Sequence, residues 1–303
     1  MNQIKLHTSR IILIAVIFYT STACNFDSMF LLPYKLLKAK EYSIVINDKQ
    51  KDTLIVVFDK ISHSPSIKHK GKDYDAPYTI ESMFFENNRK NRLYGWFLKP
   101  LGKEADATIL FLHGNAGHIL SHYTIVHHLA KQGFQVFLFD YSGFGFSEGT
   151  ATRKHVLEDA CSAFDYMYKR DDVRKTKVVI YGQSLGGNLA PVLGCKKNEY
   201  VDAVVIEGGF SSHDDIAAYT TNLGILARIG VREQYRAKKA VRKWHKPILV
   251  IHSKEDSIIP YSMGETIYRN ANLLKFFYSI NKPHITGPVY YSDSISAKIR
   301  SMF

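Results

Sequence analysis

The sequence predicts an α/β protein with a mostly parallel sheet and helices on both faces. Two observations carry this. From residue 107 onward, short and nearly continuous apolar runs alternate with amphipathic stretches of helical length, as expected of strands buried on both faces. The residues with the most chemical potential fall just after those runs, where a parallel sheet opens its site.

Taken in order, Ala107 to Leu112 reads as a buried strand, Ile119 to Gln132 as a helix closed by Gly133, and Phe134 to Phe139 as the next strand. Thr152 to Lys169 carries Val156, Leu157, Ala160, Phe164 and Met167 at helical spacing. Val178 to Tyr181 is a strand, Gly187 to Cys195 a helix and Val201 to Ile206 a strand. Residues 211–246 break the rhythm. Ile248 to His252, Tyr261 to Asn270, Phe276 to Ile280 and Tyr290 to Met302 then read as strand, helix, strand and helix. Upstream, Tyr78 to Glu86 and Arg92 to Leu98 flank a polar turn and predict a hairpin. Leu54 to Phe58 predicts a strand, and the Lys-, His- and Ser-rich stretch Ser62 to Asp75 a loop. Phe30 to Tyr34 is apolar enough to pack on the core.

The three organisational units expected are a signal at 1–24, an extension at 25–75 and the main domain at 76–303. Lys5, His7 and Arg10 precede nine apolar residues, Ile11 to Tyr19, and then small residues up to Cys24. That is the layout of a secretory signal. Three fates fit: lipidation at Cys24, cleavage after Ala23, or retention as an anchor. Each places the main domain outside the cytoplasm, membrane-anchored or secreted. Cys161 and Cys195 fall on expected helices without metal-ligand spacing, so two buried free thiols are expected, with a disulfide between them as the alternative. With 46% hydrophobic and 22% charged residues the chain is globular. Its net charge of +12 comes with no nucleic-acid-binding signature, so nucleic acid is not an expected partner. A basic surface suits either an anionic lipid layer or plain solvent.

The chemistry centres on Lys177 to Ala190, where a β-branched run passes through Gly182-Gln183-Ser184-Leu185-Gly186 into a helical pattern. A serine in G-x-S-x-G between strand and helix sits on a strained turn, with glycines where bulk would meet backbone. The turn lifts its hydroxyl above the sheet and aims the first helical amides at a developing oxyanion. Upstream, His113-Gly114-Asn115-Ala116-Gly117-His118 follows a strand. Its glycines allow backbone amides to face the serine, and the oxyanion donors are assigned to the amides of Asn115 and Leu185. Ala116 competes with Asn115. His113 is expected to brace this loop. Downstream, Asp256 follows the strand ending at His252 and is the candidate to orient an imidazole, with Glu255 as competitor. His284 follows the last strand and is the candidate base. The chain order Ser184, Asp256, His284 is the one this elbow architecture uses. Asp140 and Glu207 also end strands and are read as structural anchors. No cofactor or metal is expected.

Residues 76–303 resemble the α/β-hydrolase superfamily, and within it the Bem-like and depalmitoylase-like serine hydrolases. The resemblance rests on Leu93 to Leu98, His113 to Gly117, Phe139 to Gly149, Tyr181 to Gly187, the Asp256 loop and His284. It implies an α/β-hydrolase fold with a short helical lid at about 211–246. It also implies a serine esterase or thioesterase acting on a small-molecule or lipid-like acyl ester. Ser142 stands where such relatives commonly carry arginine, and His284 is followed by Ile-Thr rather than a small residue and Asn. Residues 44–70 look like an insertion. The lid stretch is apolar at Leu223, Ile225, Leu226, Ile229 and Val231. Arg228, Arg232, Arg236, Lys238, Lys239, Arg242, Lys243 and Lys246 interleave or follow. It suits an acyl chain with an anionic head, or a lipid surface; a cap with a solvated basic face is the alternative. A peptidase of the same fold and a non-catalytic binding module remain the competing functions.

Overall fold

A computed structural model describes residues 30–36, 41–47, 52–102, 104–221, 231 and 235–303. The expected signal with Cys24, and the lid residues 222–230 and 232–234, lie outside them. Among the described residues, fourteen strands follow in chain order: β1 Leu32–Pro33, β2 Glu41–Asn47, β3 Asp52–Phe58, β4 Pro65–His69, β5 Lys72–Asp73, β6 Tyr78–Glu86 and β7 Arg92–Pro100. Then come β8 Ala107–Leu112, β9 Ala116–Gly117, β10 Gln135–Phe139, β11 Lys177–Gln183, β12 Ala203–Glu207, β13 Ile248–Ser253 and β14 Lys275–Ile280.

Eight of them form the central sheet in the order β14-β13-β12-β11-β8-β10-β7-β6. The six from β14 to β10 run parallel, and the β6–β7 hairpin closes one edge antiparallel to β10. The chain leaves β8 for β10 on one side and returns to β11 on the other. A crevice therefore opens above β8 and β11, where an open α/β sheet binds its ligand.

Every residue of β8 and β10 is buried. Alternation along them builds two cores. Leu110, Leu112, Phe137 and Phe139 pack toward helices Arg153–Tyr168 and Leu185–Lys196. Ile109, Phe111, Val136 and Leu138 pack toward helices Ile119–Lys131 and Gly287–Arg300. Each expected strand and helix from residue 78 onward is present, with ends shifted by a few residues.

The stretch Ser62–Asp75 is not a loop. β4 and β5 complete an antiparallel four-stranded sheet, β2-β3-β4-β5. Its polar composition reflects position: β4 and β5 have no fully buried residue, so lysine and histidine side chains keep their water. Leu54, Val56 and Phe58 of β3 join Tyr94 and Trp96 of β7 in one core. The expected insertion is thus packed against the main sheet.

At Ser142, Arg89 supplies a guanidinium from elsewhere in the chain. Its Nη2 donates to Ser142 Oγ at 3.0 Å and to Asp159 Oδ1 at 2.7 Å. Asp159 Oδ2 in turn accepts from the Ser142 amide at 2.7 Å. Cys161 and Cys195 are free, half-buried thiols, both pushed up by burial. Among the described residues, no helix is long and apolar enough to cross a membrane.

Candidate active site

Ser184 is the last residue before helix Leu185–Lys196 and has φ 54° and ψ −111°. This is a strained conformation for a residue with a Cβ. Close backbone holds it. A Cβ on Gly182 would lie 2.0 Å from Gly186 O, and one on Gly186 would lie 1.9 Å from Leu112 O. The first carbonyl cannot yield without opening the elbow, nor the second without moving β8 from it. Gly186→Ala is therefore expected to cost at least about 3 kcal/mol, measured as a lowered midpoint in urea unfolding. The Ser184 amide donates to Glu207 O at 2.9 Å, which ties the turn to the end of β12.

His284 follows β14 and its ring lies on Gly208, whose added Cβ would come within 3.0 Å of His284 Cε1. Its Nδ1 is 2.6 Å from Asp256 Oδ2. The Asp256 side chain is fully buried, while that of His284 keeps 9% of its surface exposed. Asp256 Oδ1 accepts from the amides of Ile258 and Ile259 at 2.9 and 2.8 Å. Burial works to raise the Asp256 pKa; the His284 hydrogen bond and charge and the two amides outweigh it and hold the carboxyl below its usual range. Glu255 is exposed. His252 is a second imidazole on Asp256, with Nε2 3.4 Å from Oδ2 and 3.0 Å from Ile259 O. Burial lowers its pKa, with Ile259 O and Asp256 opposing.

Asn115 and Leu185 both line the cavity above the serine. The Leu185 amide is the first of its helix, so no intrahelical acceptor is open to it. The loop carrying Asn115 is held through its carbonyls. His113 Nδ1 lies 2.8 Å from Gly114 O, and His122 Nε2 lies 3.0 Å from Ala116 O. A carbonyl only accepts, so these ring nitrogens carry the protons. A trans peptide directs its N–H opposite its C=O, so holding Gly114 O aims the Asn115 amide. Burial holds both rings neutral, His122 at about 4 and His113 well below its ordinary value. His113 thus does brace the loop, and His118 begins helix Ile119–Lys131, its amide donating to Ser121 Oγ at 3.0 Å.

Glu207 and Gln183 shape the His284 loop. Glu207 is buried and accepts from Tyr181 Oη and Gln183 Nε2 at 2.7 Å each, and from the Gly287 amide at 2.6 Å. Gln183 Nε2 also donates to Ile285 O at 3.0 Å. Burial raises the Glu207 pKa against these bonds. Asp140 is likewise fully buried, and its carboxyl is pushed well above the usual range by burial, with the Ile119 amide and Lys35 opposing. Neither carboxyl lines the cavity.

The cavity holds about 380 Å³. Ser184, His284, His122 and Asn115 meet it, but most of its wall is apolar: Phe30, Phe210, Ile216, Ile258, Ile259 and Ile285. Sequence reasoning missed these wall residues, which come from four separate stretches. It also missed Asn188. That buried side chain donates to Phe210 O at 3.1 Å and accepts from the Ala237 amide at 3.1 Å, joining the residue just before the lid stretch to one within it.

The described lid cations are largely engaged. Lys238 Nζ lies 2.6 Å from Asp215 Oδ2, and Arg236 lies 3.8 Å from Asp214. Arg242 binds Asn270, and Lys246 donates to Val201 O at 2.8 Å. The first two pairs lie within residues 211–246 and the last two tie that stretch to the rest of the fold, and together they leave fewer cations for an anionic head. Among the described residues, no cluster of three His, Cys, Asp or Glu side chains is placed to hold a metal ion.

A strained serine between strand and helix at the switch point of a parallel sheet defines the class. The chain belongs to the α/β-hydrolase superfamily. Residues 107–223 match the family model for the alpha/beta hydrolase fold. The uncharacterized protein YfhR of Escherichia coli is 36% identical over 210 residues, 67% of this chain and 72% of that one. Protein bem46 of Schizosaccharomyces pombe is 30% identical over 167 residues, 54% of this chain and 56% of that one, in keeping with the Bem-like resemblance. The esterase Pf2001 of Pyrococcus furiosus shares the fold with a TM-score of 0.60 at 18% identity, across 74% of this chain and 91% of that one.

Proposed function

We propose that this chain is a serine hydrolase that cleaves carboxylic esters or thioesters through an acyl-enzyme on Ser184. Ser184 Oγ attacks the acyl carbon as His284 Nε2 takes its proton. The amides of Asn115 and Leu185 receive the negative oxygen. The bond to the alcohol or thiol then breaks, and the imidazolium returns the proton to that leaving group. Water, deprotonated by the same imidazole, releases the acid and restores Ser184. Asp256 keeps the His284 proton on Nδ1, so that Nε2 stays free to act.

One observation carries this reading: the strained Ser184 and His284 line one cavity, with Asp256 on the far side of the His284 ring. The apolar wall favours an acyl chain over a polar side chain, and so an ester or thioester over a peptide. Residues 1–24 add the proposal that the enzyme works outside the cytoplasm, tethered through Cys24 or released, where a lipid-like ester would be within reach.

The test is a fluorophosphonate probe on the purified protein, followed by a short-chain nitrophenyl ester. In the expected reaction the serine oxygen bonds phosphorus and fluoride leaves. Ester hydrolysis should fall in step with labelling. A protein that neither labels nor hydrolyses any ester would instead be a binding module. Faster cleavage of anilides than of matched esters would make it a peptidase.

A further inference from the structure

Residues Phe30–Leu36 cross the site as a strap. β1 pairs parallel with β9, Leu32 against Ala116 and Pro33 against Gly117. The Leu32 amide donates to Asn115 O at 2.8 Å. Further along, Gly145 donates to Tyr34 O at 2.8 Å and Leu36 donates to Gly145 O at 3.1 Å. Lys35 Nζ donates to Ser147 O. The strap thus stitches the loop at 115–117 to the loop at 143–147. It lies outside the residues that match the family model.

Three consecutive carbonyls of the loop are held, and the strap holds the middle one. His113 takes Gly114 O, Leu32 takes Asn115 O and His122 takes Ala116 O. The Asn115 carbonyl shares its peptide with the Ala116 N–H, so the strap fixes the peptide that follows the Asn115 donor and restrains that donor from the other side of its Cα; an oxyanion site gains most when its donors need no rearrangement. At its start the strap carries Phe30 into the cavity wall. The ring stands edge-on to His213 at 5.6 Å, with the Arg153 guanidinium 5.9 Å from its centre. It packs with Ala217 and Val231 of the lid stretch. Phe30 therefore stands between the space above Ser184 and the side chains of Ala217 and Val231.

We propose that the strap is a working part of the site: Leu32 positions the oxyanion loop, and Phe30 limits the length of acyl chain the cavity takes. This rests on the function proposed above. Leu32 is a positioning residue acting through its backbone amide. Leu32 is 48% exposed, so substitution there disturbs little packing.

The experiment compares four variants on nitrophenyl esters from acetyl to dodecanoyl, with probe labelling as the check on Ser184. Leu32→Ala keeps the amide and is the reference against which the loss of the amide is read. Leu32→Pro removes it and should lower kcat on the acetyl ester about tenfold or more, with KM little changed. Phe30→Ala should raise kcat/KM for decanoyl and dodecanoyl esters relative to acetyl about fivefold or more, roughly one opened methylene pocket or more. Phe30→Trp should move the preference the other way. Equal kcat in Leu32→Pro and Leu32→Ala would overturn the positioning role. Chain-length profiles of Phe30→Ala and Phe30→Trp that superimpose on the wild type would overturn the specificity role. Failure of the wild type to label or hydrolyse would instead remove the function itself.

Discussion

Ser184→Ala is expected to lower kcat/KM for a short-chain ester by on the order of 10⁶-fold, with no loss of fold. Alanine keeps the Cβ, so the strained backbone at φ 54° holds the same atom in the same place. The Ser184 amide still donates to Glu207 O, and the glycines on either side are untouched. What is removed is one oxygen. In the proposed mechanism no other group in the cavity forms the acyl bond: His122 is committed to Ala116 O, and Asn115 contributes an amide. The measurement is steady-state hydrolysis, with near-superimposable thermal unfolding as the control. Residual activity above about a hundredth of wild type would exceed what oxyanion donors alone supply and would mean another nucleophile.

Asp256→Asn is expected to lower kcat about 10⁴-fold while KM for a short ester stays near the wild-type value. The fold decides which way the new amide faces. Asp256 Oδ1 accepts from two backbone amides, Ile258 and Ile259. An asparagine must keep its oxygen there, since an NH₂ group would meet two donors. Its nitrogen then faces His284 Nδ1, which has to become an acceptor. The imidazole proton moves to Nε2, where a base needs a lone pair. Asp256 does not line the cavity, so substrate binding is spared. The same substitution has a stability signature. The Asp256 pKa is depressed in the folded state. Its contribution is therefore present above the unfolded value of about 3.9 and lost as pH falls through the folded-state value. The stability gap between wild type and Asp256→Asn should be widest near neutral pH and close under acid. Urea unfolding at several pH values reads this directly, and a gap that widens under acid would contradict it.

Much of the fold was legible because strands buried on both faces have one composition. β8, β10, β12 and β13 contain little but apolar residues, and the helices between them keep their apolar spacing. The superfamily reading followed from motifs spread in order along that frame. Where side chains face water, composition misled. β4 and β5 read as loop because their exposed faces carry lysine, histidine and serine. The positions of Ser184, Asp256 and His284 were readable because each must follow a strand. Apart from His113 and Glu207, their supports were not, since these depend on contacts between distant segments. Asn188 joins residues 210 and 237, Arg89 stands beside Ser142, and Leu32 reaches Asn115. Gln183 had a signal, its place inside the G-x-S-x-G turn, but nothing in the sequence linked it to Ile285. The apolar cavity wall had none, because its members come from four stretches that meet only in the fold.

The central claim is that Ser184 carries the acyl group. It is tested most directly by locating the adduct. Wild-type protein is treated with a fluorophosphonate, digested and sequenced by mass spectrometry. The account predicts a single phosphonylated residue, Ser184, and no labelling of Ser184→Ala. An adduct on any other residue, or undiminished labelling of Ser184→Ala, would contradict it.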